Sequence, residues 1–188
     1  FLVVPDALGA AAQAAVHADY PAIESAANHQ LEDLSAGPAF NQLMAELQGE
    51  GLARALGAHF DMPLETLPTT ITVRKYCERT DGNIHTDHKS KLLTVLLYFN
   101  PEWPSPEGRL RFLRSPDNLE DYAAEVVPVA GTLIAFRRTD HSWHGHSRFV
   151  GERRMVQVNY LDASPWALLR QRASRLSTHF MKEVLHIR

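Results

Sequence analysis

The stretch from Thr69 to Leu161 is a series of short β-type segments with turns between them and no helical pattern. The segments are TITVRKY, LLTVLLYF, RLRFL, EVVPVAGTLIAF and RRMVQVNYL. Some alternate apolar and polar residues, whereas LLTVLLYF is apolar almost throughout, which is typical of a strand buried on both faces. Because about six short strands follow one another without intervening helices, the sequence predicts an antiparallel sandwich or barrel rather than a parallel βαβ sheet.

The residues before this series, 1–68, are mostly helical in pattern. An Ala-rich segment between Pro5 and Pro21 predicts one helix. A second region, PAFNQLMAELQGEGLARALGAHF, places its apolar residues roughly on one face, and Gly49 and Gly51 predict a break within it. This third of the chain is therefore expected to be mostly helical and to support the β segments.

The residues after the series, 163–188, open with the cap-like pair Ser164-Pro165 and also place their apolar residues on one face. This pattern predicts an amphipathic helix. We therefore expect a single domain over residues 1–188, with helical support over 1–68, a β core over 69–162 and the C-terminal helix over 163–188.

Composition excludes several classes of protein. The single cysteine, Cys77, rules out an internal disulfide bond and a cysteine-based zinc cluster. No apolar run reaches the roughly 18 residues that a membrane span needs, so we expect a soluble, cytoplasmic protein. The net charge of −3 combines −8 over residues 1–70 with +5 over the remainder. Acidic residues are interspersed in that basic part, so a nucleic-acid-binding patch is not indicated.

His85 and Asp87 stand two residues apart immediately before the long apolar run. On an extended segment both side chains project to the same face, so one metal ion could bind both. With a third ligand from elsewhere they would form a facial triad that leaves three coordination positions open. By itself, however, the pattern is more typical of a surface turn in which Asp87 accepts backbone hydrogen bonds.

A third ligand could come from His141, His144 or His146, which crowd one short segment after the apolar stretch GTLIAF. A triad of this kind needs only one of them. The residues alone leave the choice open.

Taken in order, these segments resemble the Fe(II)/2-oxoglutarate-dependent dioxygenases, and among them the prolyl-4-hydroxylase-like branch. The matching pieces, spread over residues 71–161, are VRKYCERTDGNIHTDH, LTVLLYFNPEW, EGRLRF, VAGTLIAF, WHGH and ERRMVQVNYL. The resemblance implies a double-stranded β-helix, a jelly-roll or cupin-like barrel of two antiparallel sheets with flanking helices. That fold agrees with the order of helices and strands read from the residues.

The resemblance also implies a set of iron ligands. His85 and Asp87 would be the first two and His144 the third. His144 is preferred to His141 because a glycine follows it and an arginine stands ten residues later, as in the family pattern. His141 is then expected in a loop or around the ligands, and His146 at the rim of the site.

The cosubstrate 2-oxoglutarate would chelate the iron, leaving its 5-carboxylate in need of a cation. An arginine suits this need because its planar fork binds a carboxylate through two hydrogen bonds. Arg153 and Arg154 are the candidates, and strand alternation puts Arg154 on the apolar face of its strand, which we expect to be the barrel interior. We therefore predict that Arg154 binds the cosubstrate. Tyr98 and Tyr76 match family positions close to it.

The resemblance finally implies an enzyme that hydroxylates an unactivated C–H bond of a prolyl residue or a small amino-acid-like metabolite. Its cofactors would be Fe(II), 2-oxoglutarate and dioxygen, with ascorbate as a further candidate, and its substrate a small molecule or peptide. Three alternatives are a cupin-type metalloenzyme that does not use 2-oxoglutarate, a non-catalytic ligand-binding barrel and a nucleic-acid demethylating dioxygenase. The first leaves Arg154 and Tyr98 unexplained, and the last lacks a basic stretch interleaved with aromatic residues.

Overall fold

The computed structural model describes residues 1–163, so the helix predicted over residues 163–188 falls outside the described part of the chain. The helices are α1 (Ala10–Ala18), α2 (Pro38–Leu47) and α3 (Glu50–Phe60). The strands are β1 (Leu2–Val4), β2 (His29–Gln30), β3 (Thr69–Cys77), β4 (Lys91–Tyr98), β5 (Leu110–Leu113), β6 (Tyr122–Val126), β7 (Leu133–Arg137), β8 (His144–Gly145) and β9 (Gly151–Leu161).

The helices begin and end where the sequence provides the signals. Pro38 occupies the start of α2, where its missing N–H has no helical partner to lose. The predicted break is confirmed at Gly49, which caps the N-terminus of α3, whereas Gly51 lies inside that helix. None of the helices in the described part of the chain combines the length and the hydropathy that crossing a bilayer requires.

The strands form two antiparallel sheets. The large sheet has the strand order β1-β7-β4-β9-β3-β2, and the small sheet has the order β6-β5-β8. The inner faces of the two sheets pack against each other through one apolar cluster, made of Leu96, Tyr98, Ile134, Phe136 and Met155 from the large sheet and Leu110, Phe112 and Val126 from the small sheet. Within the described residues the sheets remain separate and do not close into one hydrogen-bonded barrel.

The outer face of the large sheet is covered by the helices. Its side chains share one buried cluster with residues of α2 and α3, including Val73, Val95, Leu97, Phe40, Leu43 and Leu56. Burying each such side chain contributes about 1.5–3 kcal/mol. Strand β4 therefore packs on both faces, which explains its continuous apolar sequence.

Strand β9 places Arg153 and Arg154 on opposite faces of the large sheet. The expectation that the apolar face of this strand lines the barrel interior is wrong. Val156, Val158 and Tyr160 pack in the cluster shared with the helices, and Arg154 lies on that same outer face. Arg153 is the arginine that points inward. The apolar face of β9 packs against the helices, and the polar face of this strand therefore lies between the two sheets.

Candidate metal and cosubstrate site

A cavity of about 230 Å³ lies between the inner faces of the two sheets. Its lining includes residues of β3, β4, β5, β7, β8 and β9 and of the loop that leads from β3 to β4. All three candidate metal ligands, His85, Asp87 and His144, line this cavity.

One ligand atom from each of His85, Asp87 and His144 lies within 4.8 Å of the others. A backbone bridge aligns the two histidines: the His85 N–H donates to the His144 carbonyl at 3.0 Å, and the His144 N–H donates to the His85 carbonyl at 2.9 Å. Their ring centroids are 4.4 Å apart. The pairing brings together two residues that are far apart in the sequence.

Both histidine rings are fixed through Nδ1. The Nδ1 atom of His85 lies 2.8 Å from the carbonyl oxygen of Asn83, and that of His144 lies 2.9 Å from the carbonyl oxygen of Ser142. A carbonyl only accepts, so Nδ1 carries the proton and Nε2 keeps its lone pair. Histidines that bind metals are commonly oriented in this way.

The carboxylate of Asp87 is held by two donors. The Thr94 hydroxyl donates to Oδ2, and the Lys91 ammonium lies 3.1 Å from Oδ1. Burial by itself raises the pKa of Asp87, but Lys91 and the hydrogen bond from Thr94 outweigh it and hold the pKa below its ordinary value. Asp87 is therefore charged at neutral pH.

For His144, burial lowers the pKa, and the imidazole is therefore neutral at neutral pH. Two imidazoles and one carboxylate are the donor set that binds Fe(II) in facial-triad sites. The residues present therefore fit an iron ion in their donor types and their proximity.

Arg153 and Tyr98 form the second part of the site. Arg153 is only 3% exposed, and its Nη2 donates to the Tyr98 hydroxyl at 2.9 Å while its Nε donates to the Gly108 carbonyl at 2.8 Å. Within residues 1–163 no carboxylate lies close enough to pair with this guanidinium. Burial raises the pKa of Tyr98 despite the adjacent arginine, so its hydroxyl keeps a proton that no described residue accepts. A buried cation and a free hydroxyl donor thus converge where an anionic ligand would fit.

Arg154 and Tyr76, also expected near the cosubstrate, do not line this cavity. The Arg154 guanidinium contacts Glu152 and His17, and it lies 5.4 Å from the centre of the Tyr20 ring. The structure therefore does not support the predicted cosubstrate role of Arg154, because strand orientation turns this side chain away from the cavity and turns Arg153 toward it.

The other two histidines of the crowded segment separate in the structure. His141 is exposed in a turn, as expected for a loop residue. His146 was expected at the rim, but it is buried and lines the cavity. Burial, together with the nearby charge of Arg153, lowers the pKa of His146 to about 4. His146 therefore lines the cavity as an uncharged side chain at neutral pH.

Two charged residues of the cavity were missed by the sequence interpretation. Arg74 and Asp81 both line it and form an ion pair at 3.0 Å. Alternation along β3 places Arg74 on the face opposite to the apolar Val73, but it does not indicate which of the two faces is the inner one. The position of Asp81 depends on the path of a loop, for which the sequence offers no comparable signal.

Comparisons with known proteins agree with this geometry. The family model of the 2OG-Fe(II) oxygenase superfamily matches residues 54–162. No curated protein matches the chain significantly in sequence.

Among solved structures, a Pseudomonas putida prolyl-4-hydroxylase is 18% identical, with a TM-score of 0.59 over 86% of this chain and 84% of that one. HygX from Streptomyces hygroscopicus, solved with nickel and 2-oxoglutarate bound, is 11% identical, with a TM-score of 0.54 over 87% and 82%. A Trichoplax adhaerens prolyl hydroxylase in complex with a hypoxia inducible factor peptide fragment is 15% identical, with a TM-score of 0.51 over 89% and 86%. At these identities the likeness confirms the double-stranded β-helix fold.

Proposed function

We propose, from the premise that this chain belongs to the 2OG-Fe(II) oxygenase superfamily, that His85, Asp87 and His144 hold the Fe(II) and that Arg153 with Tyr98 binds 2-oxoglutarate. The chain is a dioxygenase that uses Fe(II), 2-oxoglutarate and dioxygen. When bound, these groups supply an oxidation in which substrate C–H, dioxygen and 2-oxoglutarate give C–OH, succinate and carbon dioxide.

The side chains of the three ligands are held in their orientations by hydrogen bonds within the protein itself. The hydrogen bonds from Nδ1 of His85 and His144 hold Nε2 available, and Thr94 with Lys91 keeps Asp87 charged. A triad of protein ligands leaves the remaining coordination positions for cosubstrate and dioxygen. No protein acid or base is required for C–H hydroxylation, and none is assigned.

The observation that carries the cosubstrate assignment is the buried, unpaired guanidinium of Arg153. Burying an arginine without a counter-charge is costly unless a ligand supplies that charge. The 5-carboxylate of 2-oxoglutarate would accept hydrogen bonds from Arg153 and from the Tyr98 hydroxyl. A cupin-type enzyme that does not use 2-oxoglutarate would leave both donors without a function.

Apolar side chains complete the cavity. Leu96, Leu110, Phe136 and Met155 line it together with the charged groups. They exclude water from the reacting atoms and so confine the oxidation to the bound substrate.

For the substrate, the superfamily match leaves a prolyl residue of a peptide and a small amino-acid-like metabolite as candidates. Prolyl hydroxylases occur among the structures with the same fold. We propose a substrate that is a peptide or small molecule rather than a nucleic acid.

The test is an anaerobic titration of metal-free protein with Fe(II) and then 2-oxoglutarate, followed by visible absorption. A charge-transfer band from the chelated keto acid is expected, and it should be lost in His144→Ala. His141→Ala is the matched control, because this histidine is exposed in the same segment. Loss of the band in the control alone would move the ligand to His141, and iron binding without any band would refute 2-oxoglutarate chelation.

A further inference from the structure

A second arginine lines the same cavity as the proposed iron ligands. Arg74 projects inward from β3, and Asp81 projects from the loop that follows. Nη1 of Arg74 lies 3.0 Å from Oδ1 of Asp81, and the two side chains are only 15% and 19% exposed. The proposed binding of iron and 2-oxoglutarate uses neither residue.

The guanidinium of Arg74 has a donor that no described residue uses. Its Nη1 contacts Asp81 and, at 3.8 Å, the sulfur of Cys77. Its Nε is buried with no hydrogen-bond partner among residues 1–163. Buried donors in native proteins are nearly always satisfied, so an acceptor is missing from this part of the cavity.

Asp81 is held firmly in place. Its Oδ2 accepts a hydrogen bond from the backbone N–H of Glu78 at 2.7 Å, while Oδ1 contacts Arg74. The next residue, Gly82, has φ +90°, and a Cβ there would lie 2.4 Å from the carbonyl oxygen of His146. The loop is therefore packed tightly, and the carboxylate is fixed at the cavity wall.

The pair presents one positive and one negative group side by side. A purely anionic ligand would meet Asp81 as well as Arg74, and a purely cationic one would meet Arg74 as well as Asp81. A ligand that carries both charges finds a complementary partner for each. The α-carboxylate and α-ammonium groups of a free amino acid form such a pair of charges.

The size of the cavity agrees with a small ligand. Its volume of about 230 Å³ also has to hold 2-oxoglutarate, whereas sites for drug-sized molecules span about 300–1,000 Å³. A prolyl residue inside a peptide chain would bring no free α-ammonium or α-carboxylate group to Arg74 and Asp81.

We infer that Arg74 and Asp81 bind the charged ends of a free α-amino acid, with Arg74 taking the carboxylate and Asp81 the ammonium group. The inference rests on the proposed function, because the side chain of that amino acid is the part that would be hydroxylated. It assigns the enzyme to free amino acids rather than to prolyl residues within proteins.

The test measures binding apart from turnover. The full chain is loaded with redox-inert Zn(II) and saturating 2-oxoglutarate, and a pool of the twenty protein amino acids is screened by saturation-transfer NMR. The Kd of each ligand found is then compared with those of its N-acetyl and carboxamide derivatives. At least one amino acid should bind, and each blocked derivative should bind about 10- to 100-fold more weakly, the loss expected for one charge-assisted hydrogen bond.

Arg74→Gln and Asp81→Asn should each weaken binding of the free amino acid by a similar factor while the affinity for 2-oxoglutarate stays unchanged. Arg114→Gln is the matched control, because Arg114 forms a surface ion pair with Asp121 at 3.3 Å. Thermal melts establish that each variant folds, and Asp81→Asn carries the test if Arg74→Gln does not.

Three results would overturn the inference. The first is equal binding of the free amino acid and its blocked derivatives, and the second is the absence of binding by all twenty amino acids. The third is loss of 2-oxoglutarate binding in Arg74→Gln, which would place Arg74 in the cosubstrate site. In each of these the charge-transfer band of the unsubstituted Fe(II) protein still forms and the proposed function stands. If that band is absent, the proposed function fails and this inference fails with it.

Discussion

Replacing Arg153 by glutamine should cause a large and specific loss of affinity for 2-oxoglutarate. The guanidinium is 3% exposed, donates to Tyr98 at 2.9 Å and has no acidic partner within residues 1–163. Removing one member of a buried, hydrogen-bonded charge pair costs about 2–5 kcal/mol. At about 1.4 kcal/mol per tenfold, the Kd for 2-oxoglutarate should rise roughly 30-fold to several thousand-fold.

The assay is the charge-transfer titration at fixed Fe(II), with iron affinity measured separately and expected to change little. Arg154→Gln provides the matched control, since it removes the same charge from the adjacent position on the outer face of the sheet. Its Kd for 2-oxoglutarate should equal that of the unsubstituted protein.

A second readout is thermal stability. A ligand at 100 times its Kd stabilises a protein by about 2.7 kcal/mol. Saturating 2-oxoglutarate should therefore raise the Tm of the metal-loaded protein and of Arg154→Gln, but it should do so far less in Arg153→Gln. The reasoning is refuted if Arg154→Gln loses 2-oxoglutarate binding and Arg153→Gln retains it.

Three further predictions follow from contacts around the site. Thr94→Val removes the hydroxyl that donates to Asp87 and should weaken Fe(II) binding about 10- to 100-fold in a metal titration; unchanged affinity would contradict the role of this hydrogen bond. The pKa of His146 is lowered to about 4 in the folded protein, so the contribution of its neutral form to stability is complete above pH 6.5 and falls as the pH drops toward 4. In urea titrations of the metal-free protein, the free energy of unfolding should therefore fall by about 2–3 kcal/mol between pH 7 and pH 4.5. The His146→Gln variant should lose less over the same range. Gly82→Ala should destabilise the protein by more than about 1 kcal/mol because of its positive φ and its contact with backbone, whereas Gly51→Ala, with open space around it, should be neutral or stabilising in the same melts.

Much of the fold could be predicted because each strand carries a pattern set by its own two faces. The continuous apolar run of β4 records burial against the helices on one side and the small sheet on the other. The alternating pattern of β9 was equally clear, but alternation states only that two faces differ. Which face is the interior depends on where the helices pack, and that is a property of the whole fold.

The candidate site was predictable in the same uneven way. His85 and Asp87 are close in sequence and could be recognised as a pair, whereas His144 is brought to them by a backbone bridge between distant segments. The family resemblance identified His144 as the third ligand. The same family spacing, an arginine ten residues after this histidine, also favoured Arg154. Asp81 depends on a loop whose positive φ at Gly82 turns the chain toward His146, and no periodic pattern reports such a turn.

The N-terminal strand has a consequence for the solution behaviour of the protein. Residues Leu2–Val4 pair with Leu133–Ala135 and so complete the hydrogen bonding of β7, which would otherwise be an apolar edge of the large sheet. Phe1 also stacks on Phe112, with ring centroids 4.3 Å apart. Exposed apolar edges are templates for pairing with other chains. A version of the chain that begins after this strand would retain every residue of the cavity and yet offer β7 to its neighbours, and its usable concentration would be limited by self-association before its chemistry was affected.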